Sequence, residues 1–323
     1  MLGGPNPRGE ELLAGADRPG PAAAVGAVER PRDVLAGLSA LVHERLAPVT
    51  VGDATEGGWI GLDHLLRDPR ALAPLVAVSG GRRFRSDDWA LVVAQVARES
   101  IQVLVTAAVN LWTRDRRLFD MSAANVVLRE GTVATEVGLR RARLAVLADD
   151  PLAPLADTEA EADVEVVTEA QMLHRLVERV IGRSVPLGAV PRGPADQVAA
   201  VAAIVATVRR TVRSGQRHLW GTAGLAIGST LASASHAIGE RAERDRGTLF
   251  AARRDLARTV DLTTVDDALG GTVTFALRRT CCLLLKLPDE AQCGTCSLRD
   301  HDACVARMTD WHRVERRRRR STT

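Results

Sequence analysis

Residues 281–296 read CCLLLKLPDEAQCGTC and hold four of the five cysteines in the chain. Two adjacent thiols must meet a C-x-x-C pair across ten intervening positions, and this constrains the fold more than any other stretch. A chain of 323 residues buries a sizeable core without covalent help, so stapling does not account for the cysteines. Cys293 and Cys296 have chelating spacing, since two intervening residues let both thiolates reach one metal and Gly294 eases the turn. Cys281 and Cys282 point to opposite faces of an extended backbone, so both can ligate only if the chain bends there. A two-iron cluster has two centres and takes two cysteines on each, whereas one tetrahedral zinc needs four sulfurs around a single point. The spacing therefore suits [2Fe–2S] better than zinc.

Other uses of the thiols stay open at this point. A zinc site with four cysteines, or one taking Cys304 or His301 in place of one of the adjacent pair, fits the run from Cys293 to Cys304. A vicinal disulfide or redox dithiol is a further alternative. Cys304 is expected to be a bystander on a C-terminal helix, because the four upstream thiolates already complete a two-iron shell. The seven histidines show no H-x-x-x-H or H-E-x-x-H pattern and read as surface or capping residues. Phosphate-loop and dinucleotide glycine motifs are also missing.

Composition narrows the class. The 46% hydrophobic and 26% charged content is that of a soluble globular protein, and 3% aromatics with no Tyr leaves packing to Leu, Val and Ala. The net charge of +3 is smaller than the charge of Arg316–Arg320 alone, so no nucleic-acid partner is expected. That arginine run reads as a solvated end or a docking patch for an anionic membrane or protein. The first residues carry no apolar stretch behind a basic start, and apolar runs such as Ile101–Trp112 and Val198–Val208 are shorter than the ~20 residues that span a bilayer. The expectation is a cytoplasmic protein, where thiols stay reduced and clustered cysteines bind metal.

The patterning predicts a mainly α fold with a small β component, of the α+β class. Residues 1–30, rich in Gly, Pro and Ala, are expected to be a disordered lead-in. A helical body over 31–270 is expected to hold helices at Val34–Leu46, Ser86–Trp112, Thr168–Ile181, Pro194–Arg213, Trp220–Ile238 and Thr248–Val260. The β-branched runs flanking Glu130-Gly131 predict a hairpin over 125–138. Asp149–Glu165, with seven acidic residues, reads as a solvated loop. Val273–Leu277 alternates like a strand leading into a C-terminal iron–sulfur module over 271–312, followed by a basic tail over 313–323.

The signature C-C-x10-C-x2-C resembles the C-terminal cysteine pattern of ferric-siderophore reductases of the FhuF type. Arg278-Arg279 before the pair, Leu283–Leu285 with Leu287-Pro288 after it, and Leu298 behind the C-x-x-C are also similar. Upstream, Leu219-Trp220-Gly221 resembles a Trp-Gly motif of these proteins, and Ala124-Asn125-Val126-Val127-Leu128 resembles their Asn-plus-strand element. The resemblance implies a [2Fe–2S] cluster on Cys281, Cys282, Cys293 and Cys296 and one-electron reduction of a ferric siderophore that releases iron in the cytoplasm. Arg278, Arg279, Trp220 and Asn125 are the matching candidates for docking substrate or partner. Leu284 and Leu285 stand where family members often carry Tyr. Ser122 stands where the distantly similar siderophore synthetases carry a His, so ATP-dependent synthesis is not expected.

With no flavin or nicotinamide motif in the chain, the electrons must come from elsewhere, and a flavoprotein or ferredoxin donor is expected. Transient contact with the inner membrane or a transporter goes with that role. Arg278 and Arg279 would favour the reduced, more negative cluster and attract an anionic chelate; the bland alternative is that they solvate a strand end. The competing functions are a zinc-stapled binding or scaffold protein and an electron carrier with no reductase activity of its own.

Overall fold

A computed structural model describes residues 49–51, 57–132, 134–157, 163–182, 191, 193–212, 216–267, 270–288 and 290–321, with Pro31, Asp33 and Val34. The lead-in expected over 1–30 and most of the helix expected over Val34–Leu46 lie outside the described residues. The fold is mainly α with a small β component.

Strands β1 (Val49–Val51) and β2 (Ile60–Gly61) are the edges of a sheet whose middle comes later in the chain. Helices α1 (Leu62–Arg67) and α2 (Ala73–Ser79) follow. Helix α3 (Trp89–Asp115) is the axis of the molecule. Asp88 caps it by accepting from Leu91 N–H at 3.0 Å, as an Asp ahead of an apolar run should, and the chain leaves it at Arg116 in the left-handed region. Successive residues from Leu91 to Ala97 are all buried, and a helix that is apolar all round belongs in a core. By length and composition α3 could cross a membrane, but 78% of its most apolar window is buried inside this fold.

Strand β3 (Leu118–Phe119) leads to β4 (Val126–Glu130) and β5 (Thr135–Leu139). These two pair antiparallel from Val126↔Leu139 to Glu130↔Thr135, so the hairpin expected over 125–138 is present, and the sheet order is β1-β5-β4-β2. Arg83 ties it to α3: its buried guanidinium bonds Glu130 at 2.8 Å and also Glu99, whose carboxylate receives the Thr135 N–H at 3.1 Å.

The acidic stretch is more ordered than expected. Strand β6 (Leu144–Val146) pairs with β3 and, in parallel, with β7 (Val164–Val166), and a 3-10 turn occupies Ala153–Asp157. Within the stretch expected as a solvated loop Leu152 and Val164 are buried, while 158–162 lie outside the described residues; a three-residue strand is too short to show against so many carboxylates. Helix α4 (Glu169–Arg175) begins with a capping box between Thr168 and Gln171 and widens into a π turn over Leu176–Ile181. Helix α5 (Ala200–Thr211) follows a 3-10 turn at Ala195–Gln197.

Helix α6 (Arg217–Ile238) packs on α3 and on the last strand. The helix expected over Thr248–Val260 is a correction: α7 (Glu240–Ala252) ends earlier, α8 (Arg254–Ala257) is a single turn, and β8 (Val260–Asp266) takes over. Val, Leu and Thr at 260, 262, 263, 264 and 265 favour an extended chain with a partner beside it. That partner is β9 (Thr272–Arg278), in register Val260↔Arg278 to Asp266↔Thr272. Helix α9 (His301–Ser321) then lies against β9 through a small apolar cluster of Val273, Phe275, Leu277 and Cys304, apart from the main core. Strand β9, where the module expected over 271–312 starts, is thus paired with β8, and α9 continues into the tail expected over 313–323 as far as Ser321.

Three glycines make the α6–hairpin contact possible. A Cβ on Gly221 would sit 2.8 Å from Thr280 Cβ, one on Gly224 would sit 2.9 Å from the Leu256 carbonyl, and one on Gly228 would sit 3.1 Å from Ala276 Cβ. We predict that Gly224→Val lowers stability to chemical denaturation by about 1–3 kcal/mol, the range for overpacking. Gly247 on α7 has open space around its Cβ position, so Gly247→Ala should raise stability by about 0.5–1 kcal/mol. Urea midpoints of the two variants should move in opposite directions.

Candidate metal centre

Strand β9 ends at Arg278, and Thr280 is buried against Gly221 before the adjacent cysteines. The bend needed for both cysteines to serve one site lies just after them. Leu283 takes the left-handed conformation, φ 64° and ψ 1°, and a 3-10 turn follows at Leu284–Lys286. Alternating left- and right-handed residues turn successive N–H groups to one side and make an anion-binding concavity. Leu283 N–H donates to Cys281 Sγ at 3.4 Å, and Leu284 N–H supports the Cys282 thiolate.

Cys282 Sγ and Cys293 Sγ are 3.7 Å apart. Two thiolates on one tetrahedral metal with bonds of ~2.3 Å lie about 3.8 Å apart, so this pair has the separation of co-ligands. The C-x-x-C loop is closed by Cys296 N–H donating to the Cys293 carbonyl at 3.1 Å, and the Cys296 carbonyl accepts from Arg299 N–H at 3.0 Å. Among the described residues, no three His, Cys, Asp or Glu side chains are gathered to hold one ion. Cys282 and Cys296 are buried, while Cys281 and Cys293 are half-buried, so one side of the set lies near solvent.

Cys304 and His301 have other engagements. The Cys304 thiol donates to the Cys296 carbonyl at 3.5 Å from within the small apolar cluster, and burial pushes its ionisation up. His301 faces Asp261 at 3.7 Å and Thr263 at 3.5 Å on β8.

The cation beside the cysteines is the most informative feature. Arg278 is 8% exposed, and its charge faces Cys282, Cys293 and Cys281. Its guanidinium donates to Thr222 Oγ1 at 3.4 Å, and among the described residues no carboxylate pairs with it. Burial lowers its pKa, and the cysteine thiolates act against that loss. A guanidinium does not deprotonate under ordinary conditions, and a lone buried charge costs several kcal/mol. An anionic sulfur group is therefore the complement this pocket demands. The Cys282 thiol responds by dropping to about 5, held down by the hydrogen bond from Cys293 against the effect of burial, then by Arg278, Leu284 N–H and Arg98. Cys293, the donor of that bond, is raised.

The four docking candidates divide. Arg278 is next to the sulfurs but buried, so surface solvation is not its role. Arg279 is exposed and pairs with Asp261 at 3.5 Å on the adjoining strand. Trp220 is 6% exposed, its indole N–H bonds Gln216 at 3.4 Å and Arg253 lies over its ring at 5.2 Å, so it is a core residue and no docking platform. Asn125 is corrected likewise: its amide donates to the Asp120 and Arg141 carbonyls at 2.6 and 2.9 Å and accepts from Arg141 N–H at 2.9 Å, fastening a loop. The Trp-Gly motif still bears on the site through Gly221, which admits Thr280.

Sequence reasoning missed Gln95 and Arg98 on α3 and Thr222 on α6. Gln95 Nε2 donates to the Cys282 carbonyl at 3.0 Å, and Arg98 Nε donates to Gln95 Oε1 at 2.7 Å. The available signal was a glutamine within the apolar run Leu91–Ala97.

Replacing Arg278 should have opposite effects on two measurements. In protein stripped by chelator and held below about pH 5, where the Cys282 thiol is protonated and no longer offsets the guanidinium, Arg278→Met removes a buried unpaired charge and should raise stability by about 1 kcal/mol or more. The same variant, expressed normally, should hold less iron and sulfide than wild type. Thermal melts of stripped protein and metal analysis of fresh protein check the pair.

No protein-family model matches this chain, and a search of curated proteins returns no match.

Proposed function

We propose that the chain reduces ferric siderophores by one electron, through a [2Fe–2S] cluster held by Cys281, Cys282, Cys293 and Cys296, and so releases iron in the cytoplasm. The observation that carries this reading is the buried Arg278, which has cysteine sulfurs and no carboxylate as its counter-charge. The 3.7 Å approach of Cys282 to Cys293 and the resemblance of the cysteine spacing to the FhuF-type reductases agree with it. When bound, such a cluster supplies one electron at a time, which matches the conversion of Fe(III) to Fe(II). Ferric iron is held tightly by anionic siderophore oxygens and ferrous iron far less so, which makes reduction a means of release.

The residues around the sulfurs supply what that task asks of a protein. Arg278 and the N–H groups of Leu283 and Leu284 favour added negative charge on the sulfurs and hence the reduced state. Cys281 and Cys293 bring the set close to solvent, within reach of a chelate too large to enter the fold. Exposed Arg279 gives an anionic chelate or an acidic donor protein a charge to approach. The donor in this scheme is a flavoprotein or ferredoxin, and contact with the inner membrane or a transporter would place the protein where siderophores arrive.

The test begins with protein purified without oxygen, which should carry about two irons and two sulfides per chain. After chemical reduction and mixing with a ferric hydroxamate and a ferrous trap, it should reoxidise and deliver about one Fe(II) per cluster. Zinc in place of iron would leave a stapled scaffold, and a cluster that reduces redox proteins but no ferric chelate would leave an electron carrier. Cys293→Ser and Cys296→Ser should each lose the chromophore and most activity, while Cys304→Ser should keep the visible spectrum.

A further inference from the structure

We infer that Gln95 is a positioning residue for the cysteine site: it fixes the peptide between Cys282 and Leu283 and, through that peptide, tunes the sulfur of Cys281. The inference rests on the cluster reading above and assigns a role to residues outside the cysteine motif.

Gln95 is fully buried on α3, among Leu91, Val92, Val93, Ala94, Val96 and Ala97. A carboxamide in such a place is costly unless both of its ends are bonded, and both are. Its Nε2 donates to the Cys282 carbonyl at 3.0 Å, and its Oε1 accepts from Arg98 Nε at 2.7 Å. The Cys282 carbonyl and the Leu283 N–H belong to one rigid peptide plane. The far end of that plane is the N–H that donates to Cys281 Sγ at 3.4 Å. Gln95 therefore holds one end of the unit whose other end touches a ligand sulfur.

This peptide needs a restraint. Leu283 has φ 64°, a conformation that brings the Cβ of an L-residue against its own carbonyl oxygen and is disfavoured. Turning the 282–283 peptide over would return Leu283 to negative φ, as in the interconversion of turn types. The same turn would take the N–H off Cys281 and point a carbonyl at the sulfurs. The Gln95 bond opposes that flip, because the flipped peptide would leave a buried Nε2 without its acceptor. Arg98 adds polarisation, since a charged donor on Oε1 strengthens the Nε2 bond, which in turn makes the Leu283 N–H a better donor. A stronger N–H···S bond stabilises the more negative, reduced cluster and raises its potential.

The experiment is an anaerobic redox titration of full-length protein carrying its cluster, with iron and sulfide assayed on the same samples. Gln95→Met keeps length and apolar volume but loses the donor, and it should shift the midpoint to more negative potential. Arg98→Met should shift it in the same direction by less. Adding Leu283→Gly to Gln95→Met should recover part of the shift, because glycine holds positive φ without strain; a merely structural role for Gln95 gives no such recovery. A wild-type midpoint in Gln95→Met with full iron and sulfide content overturns the inference and leaves the proposed function standing; Arg98→Met does not decide, because its charge also acts on Cys282 directly. If Gln95→Met retains no cluster, Gln95→Asn, one methylene shorter and without the reach to the Cys282 carbonyl, decides, an unchanged midpoint overturning the inference and a negative shift sustaining it. A wild-type chain that binds no iron overturns the proposed function, and the inference with it.

Discussion

A helix and a strand can lie directly against each other only where the helix surrenders its side chains along the line of contact. On α6 that line is Gly221 and Gly228, with Thr280 and Ala276 in the space, while Gly224 between them admits the Leu256 carbonyl of α8. Everything at the candidate centre follows from this approach. It draws β9 in until Arg278 is buried, sets Thr222 under the guanidinium, and delivers the adjacent cysteines to the flank of α3, where Gln95 meets the Cys282 carbonyl. Bulky side chains on that face of α6 would hold the hairpin off and leave Arg278 in water, where it needs no sulfur for company.

Helix α3 then connects two polar systems that are far apart in sequence. On one side Glu99 joins the buried Arg83–Glu130 pairing that fastens the β4–β5 hairpin. One residue earlier, Arg98 bonds Gln95 and lies 4.0 Å from Glu99. Neighbouring residues of one helical turn thus serve the sheet and the cysteine loop. The charges do different work: Arg83 has two carboxylates and is structural, while Arg278 has none among the described residues and faces sulfur.

The parts of this protein that were legible in its sequence are those whose signal is local. The cysteine spacing named the candidate ligands, apolar runs located α3 and α6 to within a few residues, and the β-branched runs around Glu130-Gly131 marked the hairpin. The helical spacing of Leu249, Leu256 and Val260 carries the expected helix as far as Val260, past its true end, and strand β8 has no signal of its own because only pairing with β9 decides the conformation of 260–266. Trp220 and Asn125 looked available because nothing in a sequence tells a buried indole or a bonded carboxamide from an open one. Arg278 and Arg279 are chemically identical neighbours, yet the last residue of β9 is inside beside the sulfurs and the one after it is outside beside Asp261.

The bond between Gln95 and Cys282 spans 187 positions of sequence, and this separation has a consequence for timing. Contacts between remote segments form late, after the entropy of closing the intervening chain has been overcome. The cysteine run can bend by itself, but its carbonyl has no anchor until α3 is folded, α6 has docked on it and the hairpin has closed on the glycine face. A nascent chain whose last hundred residues are still unmade has the helix and lacks the ligands. The cysteine site is thus a property of the completed molecule, and its assembly would report that folding has reached its end.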